Sequence, residues 1–276
     1  MSLRIQELGW RATPMGEISL RRRWDPAART DVYEIKLDDE FLMSSLFVAA
    51  EVEVARIALA ELRAAGPPPE GGYDVAVGGL GLGHTALTVL EDDGVRSLVV
   101  VEALQEVIDW HEEKLIPAGE TLTADARCHL SQGDFFARAA DPAGGLAGAE
   151  GPPLRGVDRP GAERSHGQWR ATGGLRPDSP GTRFHAVVVD IDHSPRHLLN
   201  PAHAPFYEVE GTRRLAEHLW PGGVFTLWSN DPPDEDYLDV LRGVFTGVRA
   251  EVVSFPNPYQ DRSATNTVYV GSRPRD

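Results

Sequence analysis

The alternation of apolar and polar positions divides this chain into two kinds of segment. Near the N-terminus, Glu17-Ile18-Ser19-Leu20-Arg21-Arg22 and Asp31-Val32-Tyr33-Glu34-Ile35-Lys36-Leu37 alternate with period two, with Asp25-Pro26 between them. That period predicts short strands with one buried face, so residues 1–43 are read as a small N-terminal β region. From Ser44 to Ala65 the period lengthens. Leu46, Ala49, Val52, Val54, Ile57, Leu59 and Leu62 make one broad apolar face of a helix, which Gly66-Pro67-Pro68-Pro69-Glu70-Gly71-Gly72 brings to an end.

Beyond Tyr73, short apolar runs alternate with helical patterns. Strands are predicted at 74–78, 98–102, 127–131, 185–190, 223–228, 249–255 and 266–271, and helices near 84–92, 104–114, 206–219 and 235–246. This order predicts an α/β fold over residues 44–276, a doubly wound, mostly parallel seven-stranded Rossmann-like sheet preceded by the small β domain. Only Asn257 to Ser263 separate the last two strands, which leaves no room for a crossover and predicts an antiparallel hairpin. Residues 138–183 are rich in Gly, Pro, Ala and Arg and show no sustained apolar period. They are expected to form a disordered insertion, with a lid over a site as the alternative.

The chemistry begins where the first predicted strand of the large domain ends, at Gly78-Gly79-Leu80-Gly81-Leu82-Gly83-His84-Thr85. Glycines permit a sharp turn and a close approach to a ligand, and the helix that follows presents a positive N-terminus. About twenty residues on, Leu98-Val99-Val100-Val101 ends on Glu102, whose carboxylate can accept two ribose hydroxyls. Gly79, Gly81, Gly83, Thr85 and Glu102 are therefore candidate nucleoside-binding residues. After the third strand, Gly133-Asp134-Phe135 supplies an acceptor for an exocyclic adenine amine at Asp134 and a base-lining ring at Phe135. The other reading of a carboxylate after a strand is a helix cap.

A reaction is expected at the fourth strand end, Asp190-Ile191-Asp192-His193-Ser194-Pro195. Two carboxylates and an imidazole following a buried strand can be driven to different pKa values. Asp190 is the candidate for holding or deprotonating an amine, with His193 as a base and Asp192 beside it; alternatively Asp192 caps the next turn and His193 faces solvent. His185, His193, His197 and His203 are crowded together, but Pro195 interrupts the one pair with helical spacing, so no metal site is expected.

The formal charge of −15 disfavours a nucleic-acid backbone as partner, and no apolar run reaches the roughly 20 residues that span a bilayer. The only cysteine, Cys128, excludes an intramolecular disulfide, and the first residues lack a signal-peptide core, so a cytoplasmic protein is expected. No glycine loop runs into a Lys-Ser/Thr pair, and no serine elbow is present.

The order of glycine turn, Glu102, Gly133-Asp134, Asp190 and Leu219-Trp220-Pro221-Gly222-Gly223-Val224 resembles the class I AdoMet-dependent transferase fold. Within it the chain resembles the spermidine synthases (polyamine aminopropyltransferases) over most of residues 30–255. The likeness rests on Asp39-Glu40-Phe41, the glycine turn, Gly133-Asp134, Val189-Asp190 and Phe206-Tyr207. It implies a co-substrate, decarboxylated S-adenosylmethionine or S-adenosylmethionine, a small-molecule amine acceptor, and a role in polyamine biosynthesis. A homodimer is the expected assembly.

Departures sit at specific positions. Leu82 stands where the family has an aspartate in the turn, and Ala103-Leu104 follow Glu102 without a second acid. Leu42-Met43-Ser44-Ser45 replaces the tyrosine and acid that handle the polyamine, His193 aligns with a second aspartate, and Trp228 replaces a glutamine. Aminopropyl transfer, methyl transfer from AdoMet and a non-catalytic spermidine-synthase-like protein are the readings left open. A nicotinamide oxidoreductase is disfavoured because His84 occupies the third glycine position.

Overall fold

The computed structural model describes residues 5–148, 163–165, 168–170, 183–257, 259–260 and 262–275. The chain opens with an antiparallel sheet of β1 (Ile5–Thr13), β2 (Gly16–Asp25), β3 (Thr30–Leu37) and β4 (Glu40–Ser44), in that order. The two alternating segments form its centre: Ile18 and Leu20 on β2 and Ile35 on β3 are fully buried. Asp25 shapes the β2–β3 turn by accepting from the Ala27 and Ala28 N–H groups, and Arg23 ties Asp25 to Glu34.

The helix expected from Ser44 starts later, as α1 (Ala49–Ala64). It is followed by β5 (Tyr73–Gly78), α2 (His84–Leu90), β6 (Val95–Glu102), α3 (Gln105–Glu112), α4 (Ala118–Ala124), β7 (Cys128–Gln132) and α5 (Phe135–Ala139). After the short antiparallel pair β8 (Glu163–Ser165) and β9 (Gln168–Arg170) come β10 (Phe184–Val189), a 3-10 turn over Pro201–Tyr207, α6 (Val209–Glu217) and β11 (Leu219–Ser229). The remaining elements are α7 (Glu235–Arg242), β12 (Thr246–Pro256) and β13 (Ser263–Ser272).

The large sheet has the order β12-β13-β11-β10-β5-β6-β7. All neighbours are parallel except β13, which runs antiparallel to both β11 and β12. The short β12–β13 connection forces that reversal. Alternate residues of the buried strands feed two cores. Val75, Val77, Leu98, Val100 and Val188 face α1 to α4, while Ala76, Val99, Val101, Val187 and Val189 face α5 to α7. The first core also contains Ile18, Leu20 and Ile35, so the small sheet packs against the large domain. Each of those side chains contributes about 1.5–3 kcal/mol on burial.

Three details differ from the sequence reading. Pro221-Gly222-Gly223 lies inside β11 as a bulge, where the partner register jumps from Phe184↔Leu219 to Ala186↔Val224. Two short helices, α4 and α5, have too few residues to show a helical period. Residues 138–148, placed within the predicted insertion, are packed: Leu146 and Ala147 are buried, and Arg138 donates to the Leu146 carbonyl and the Ser131 hydroxyl. Apart from β8, β9 and Arg183, the rest of that predicted insertion lies outside the described residues. No described helix is long and apolar enough to cross a membrane.

Asp74, on β5, is almost fully buried, and Arg96 meets both of its carboxylate oxygens at 2.8 and 2.5 Å. Arg96→Ala strands that carboxylate. Because Arg96 itself is about one-third exposed, the expected loss is about 2 kcal/mol, below the cost of breaking a fully buried pair. Urea unfolding of the variant against wild type measures it.

Candidate functional site

Strand order reverses between β5 and β10, and the loops beyond their carboxyl ends open a crevice there. Gly79 has φ +93°, and a Cβ on it would lie 2.2 Å from the Asp190 carbonyl oxygen. The Asp190 N–H in turn donates to the Gly78 carbonyl at 2.9 Å. The glycine turn and the end of β10 are thus locked together by backbone contact. Gly81 is approached from the small sheet: its missing Cβ would lie 2.6 Å from the Met43 sulfur.

The turn spends its own N–H groups. Gly79 donates to the Val101 carbonyl at 2.9 Å, Leu80 to Glu102 Oε2 at 3.0 Å, and Gly83 back to the Leu80 carbonyl at 2.8 Å. Glu102 Oε1 accepts from the Leu104 N–H at 2.9 Å. Burial raises the Glu102 carboxyl above its ordinary range, while these backbone donors pull it back. Beneath the turn, His111 is fully buried and its Nε2 lies 2.9 Å from the Gly81 carbonyl. Burial pushes His111 down to about 4, so the ring is neutral and Nε2 carries the proton it donates.

In front of the turn lies a cavity of about 280 Å³. Gly79, Gly81, Thr85, Asp190 and His193 line it, as do His84, Glu51 and a set of apolar side chains from β4, β11 and β12. The Thr85 hydroxyl is 2.9 Å from Asp190 Oδ2 and 3.1 Å from the Glu51 carbonyl oxygen. Burial pushes Asp190 up to about 6, against the opposing hydrogen bond from Thr85. Glu51 is raised by burial and then by the negative charge of Asp190. The charged floor of the cavity is therefore a carboxyl pair in which each member disfavours ionisation of the other. His193 is at the rim, its Nε2 3.4 Å from Glu40 Oε1.

Five of the expected residues do not line this cavity: Gly83, Glu102, Asp134, Phe135 and Asp192. Gly83 starts α2 with φ +88°, close against Ala118. Asp134 is the N-cap of α5, with Oδ1 accepting from the Phe136 and Ala137 N–H groups. Phe135 is buried in the core beneath Gly78, whose missing Cβ would lie 2.7 Å from its ring. The ring supports the strand end from below. Asp192 is 2% exposed and accepts from the Leu199 N–H, His203 Nδ1 and the Tyr207 hydroxyl at 2.8–2.9 Å. It organises the loop after β10. The crowded histidines also have separate tasks: His185 accepts the Asp74 N–H, His197 pairs with Asp231 and His203 with Asp192.

Glu51 escaped the sequence reading because α1 was read for its apolar face. With Glu53 two residues on, nothing in the local sequence Ala50-Glu51-Val52-Glu53 separates Glu51 from an ordinary solvated helix acid.

No family model matches the sequence, and no curated protein matches it. Solved structures do. The chain is similar to the spermidine synthase of Thermotoga maritima at TM-score 0.63 and 14% identity, with 99% of this chain and 75% of that one covered. The same values hold for a spermidine synthase in complex with the transition-state analogue AdoDATO. A probable spermidine synthase from Corynebacterium glutamicum matches at TM-score 0.57 and 16% identity, covering 96% of this chain and 79% of that one. The protein has a spermidine-synthase-like fold.

Two predictions follow from the geometry around β10. Asp192→Ala leaves a buried tyrosine hydroxyl and a backbone N–H without an acceptor, and is expected to cost about 2–4 kcal/mol in urea unfolding. A carboxyl raised on folding, such as Asp190, stabilises the fold fully below the ordinary carboxylate range. That contribution is lost as pH rises toward about 6. Asp190→Asn is therefore expected to raise stability by about 1–3 kcal/mol at pH 8 and to change it little at pH 4, as thermal melts at the two pH values will report.

Proposed function

We propose that the protein transfers an aminopropyl group from decarboxylated AdoMet to an amine, with the glycine turn and Glu102 holding the nucleoside. The observation that carries this reading is the Glu51–Asp190 carboxyl pair flooring a cavity whose described lining includes no Lys or Arg. A donor with a carboxylate would face two acids, and the N–H groups of Gly79 and Leu80 on the lining are engaged by the Val101 carbonyl and Glu102. A donor that lacks this carboxylate avoids the repulsion. This argues for aminopropyl over methyl transfer.

Glu102 ends β6 beside the turn, and its carboxylate, oriented by the Leu80 and Leu104 N–H groups, is the proposed acceptor for the ribose hydroxyls. The acceptor amine reaches the cavity as an ammonium ion. Asp190, with a pKa near 6, is ionised at neutral pH and takes a proton from it. The freed nitrogen then attacks the propyl carbon attached to sulfur. The C–N bond forms, the C–S bond breaks with its electron pair going to sulfur, and methylthioadenosine leaves. The sulfonium needs no further activation, so the chain's contribution is positioning, desolvation and proton acceptance.

Calorimetric titration with decarboxylated AdoMet, AdoMet and methylthioadenosine tests the donor. Decarboxylated AdoMet is expected to bind at least about tenfold more tightly than AdoMet, because the latter adds an unpaired carboxylate. A preference for AdoMet would transfer the assignment to methyl transfer, and silence from all three ligands would remove both. With donor and amine together, kcat/KM should rise with pH through about 6, and Asp190→Asn should lower it about 10²–10⁴-fold.

A further inference from the structure

We infer that the acceptor is a monoamine with an apolar or aromatic body, not an α,ω-diamine. The inference rests on the reading of the cavity as an amine-acceptor site, and it concerns the wall opposite the acids. Of the residues lining the cavity, Glu51 and Asp190 are the carboxylates, and Thr85 joins them by hydrogen bonds to one and to the backbone of the other. They form a single centre able to neutralise one ammonium group. The apolar part of the lining includes Leu42, Met43, Phe47, Ile191, Trp228 and Phe255. Phe47 and Phe255 lie with ring centroids 5.9 Å apart, so the segment leading into α1 meets β12 at the lining.

The other polar side chains on the described lining are the hydroxyls of Ser44 and Thr265, the amides of Asn230, Asn257 and Asn266, and the imidazoles of His84 and His193. Nearby Glu40 is not among the lining residues and lies against His193. His84, also on the wall, is held toward its neutral form by burial. Among the described residues the lining adds no third carboxylate, so a diamine anchored at Glu51 and Asp190 would carry its second ammonium along a surface with no counter-charge short of Glu40 at the rim, and an unpaired cation out of water is costly. An aryl or branched alkyl group gains from the same surface, since aromatic and aliphatic side chains bury it without leaving a polar group unpaired. Trp228 contributes an indole to this surface from the end of β11, so it is the side chain to vary first.

The test is a calorimetric comparison of phenethylamine with 1,4-diaminobutane on the full chain, each with and without saturating methylthioadenosine. Phenethylamine is expected to bind at least about tenfold more tightly. Trp228→Gln and Phe255→Leu are each expected to narrow that preference by about tenfold while melting cooperatively. Equal or tighter binding of the diamine overturns the inference, and so does the absence of binding by either amine in both conditions. Methylthioadenosine titrated alone reports on the nucleoside site separately. If it fails to bind, the donor assignment fails, and the amine comparison without nucleoside still decides the acceptor class.

Discussion

The contact between Gly79 and the backbone of Asp190 holds the rest of the site in place. Two parallel strands that diverge toward their own crossover helices leave a crevice, and a crevice alone fixes nothing. Here one strand end has no side chain, so the other can press its carbonyl into the space a Cβ would occupy. The reach of the Thr85 hydroxyl to Asp190, the position of the acid beside α1 and the enclosure of the cavity all depend on that spacing.

A second constraint is electrostatic. The charged part of the cavity is assembled from groups that destabilise one another: Glu51 and Asp190 are both raised by burial, and Glu51 is raised further by Asp190. Proteins keep such pairs at sites that bind or move charge, where the strain is relieved by a cation. The surrounding framework is conventional by contrast. Asp74, Asp134 and Asp192 are each satisfied by an arginine, a helix N-terminus or a ring of donors. Acids with full complements of partners build the scaffold, and those without them face the cavity.

This contrast explains what could be read from the chain. Short apolar runs marked the strands of the large sheet, most sharply β5, β6 and β10, which are buried on both faces and so must be apolar throughout. The glycine turn and Asp190 were legible because the close approach there demands particular residue types. Asp134, Phe135 and Asp192 occupy positions where a cap, a core ring and a loop anchor look the same in sequence as ligand-binding groups. Which one a residue becomes is decided by partners distant in the chain, such as Tyr207 for Asp192 and Gly78 for Phe135. Glu51 was hidden for a related reason. Its meaning comes from Asp190, 139 positions further on by the numbering, and nothing local records that meeting.

The small N-terminal sheet supplies Met43 and Leu42 to the cavity wall while Ile18, Leu20 and Ile35 insert into the core of the large domain. One side of the cavity is thereby built on a different sheet from the other. Local opening of a protein samples its weaker units first. The lifetime of the enclosed chamber is then set by the hold of four short strands on α1 and its neighbours, not by the seven-stranded sheet that carries Asp190.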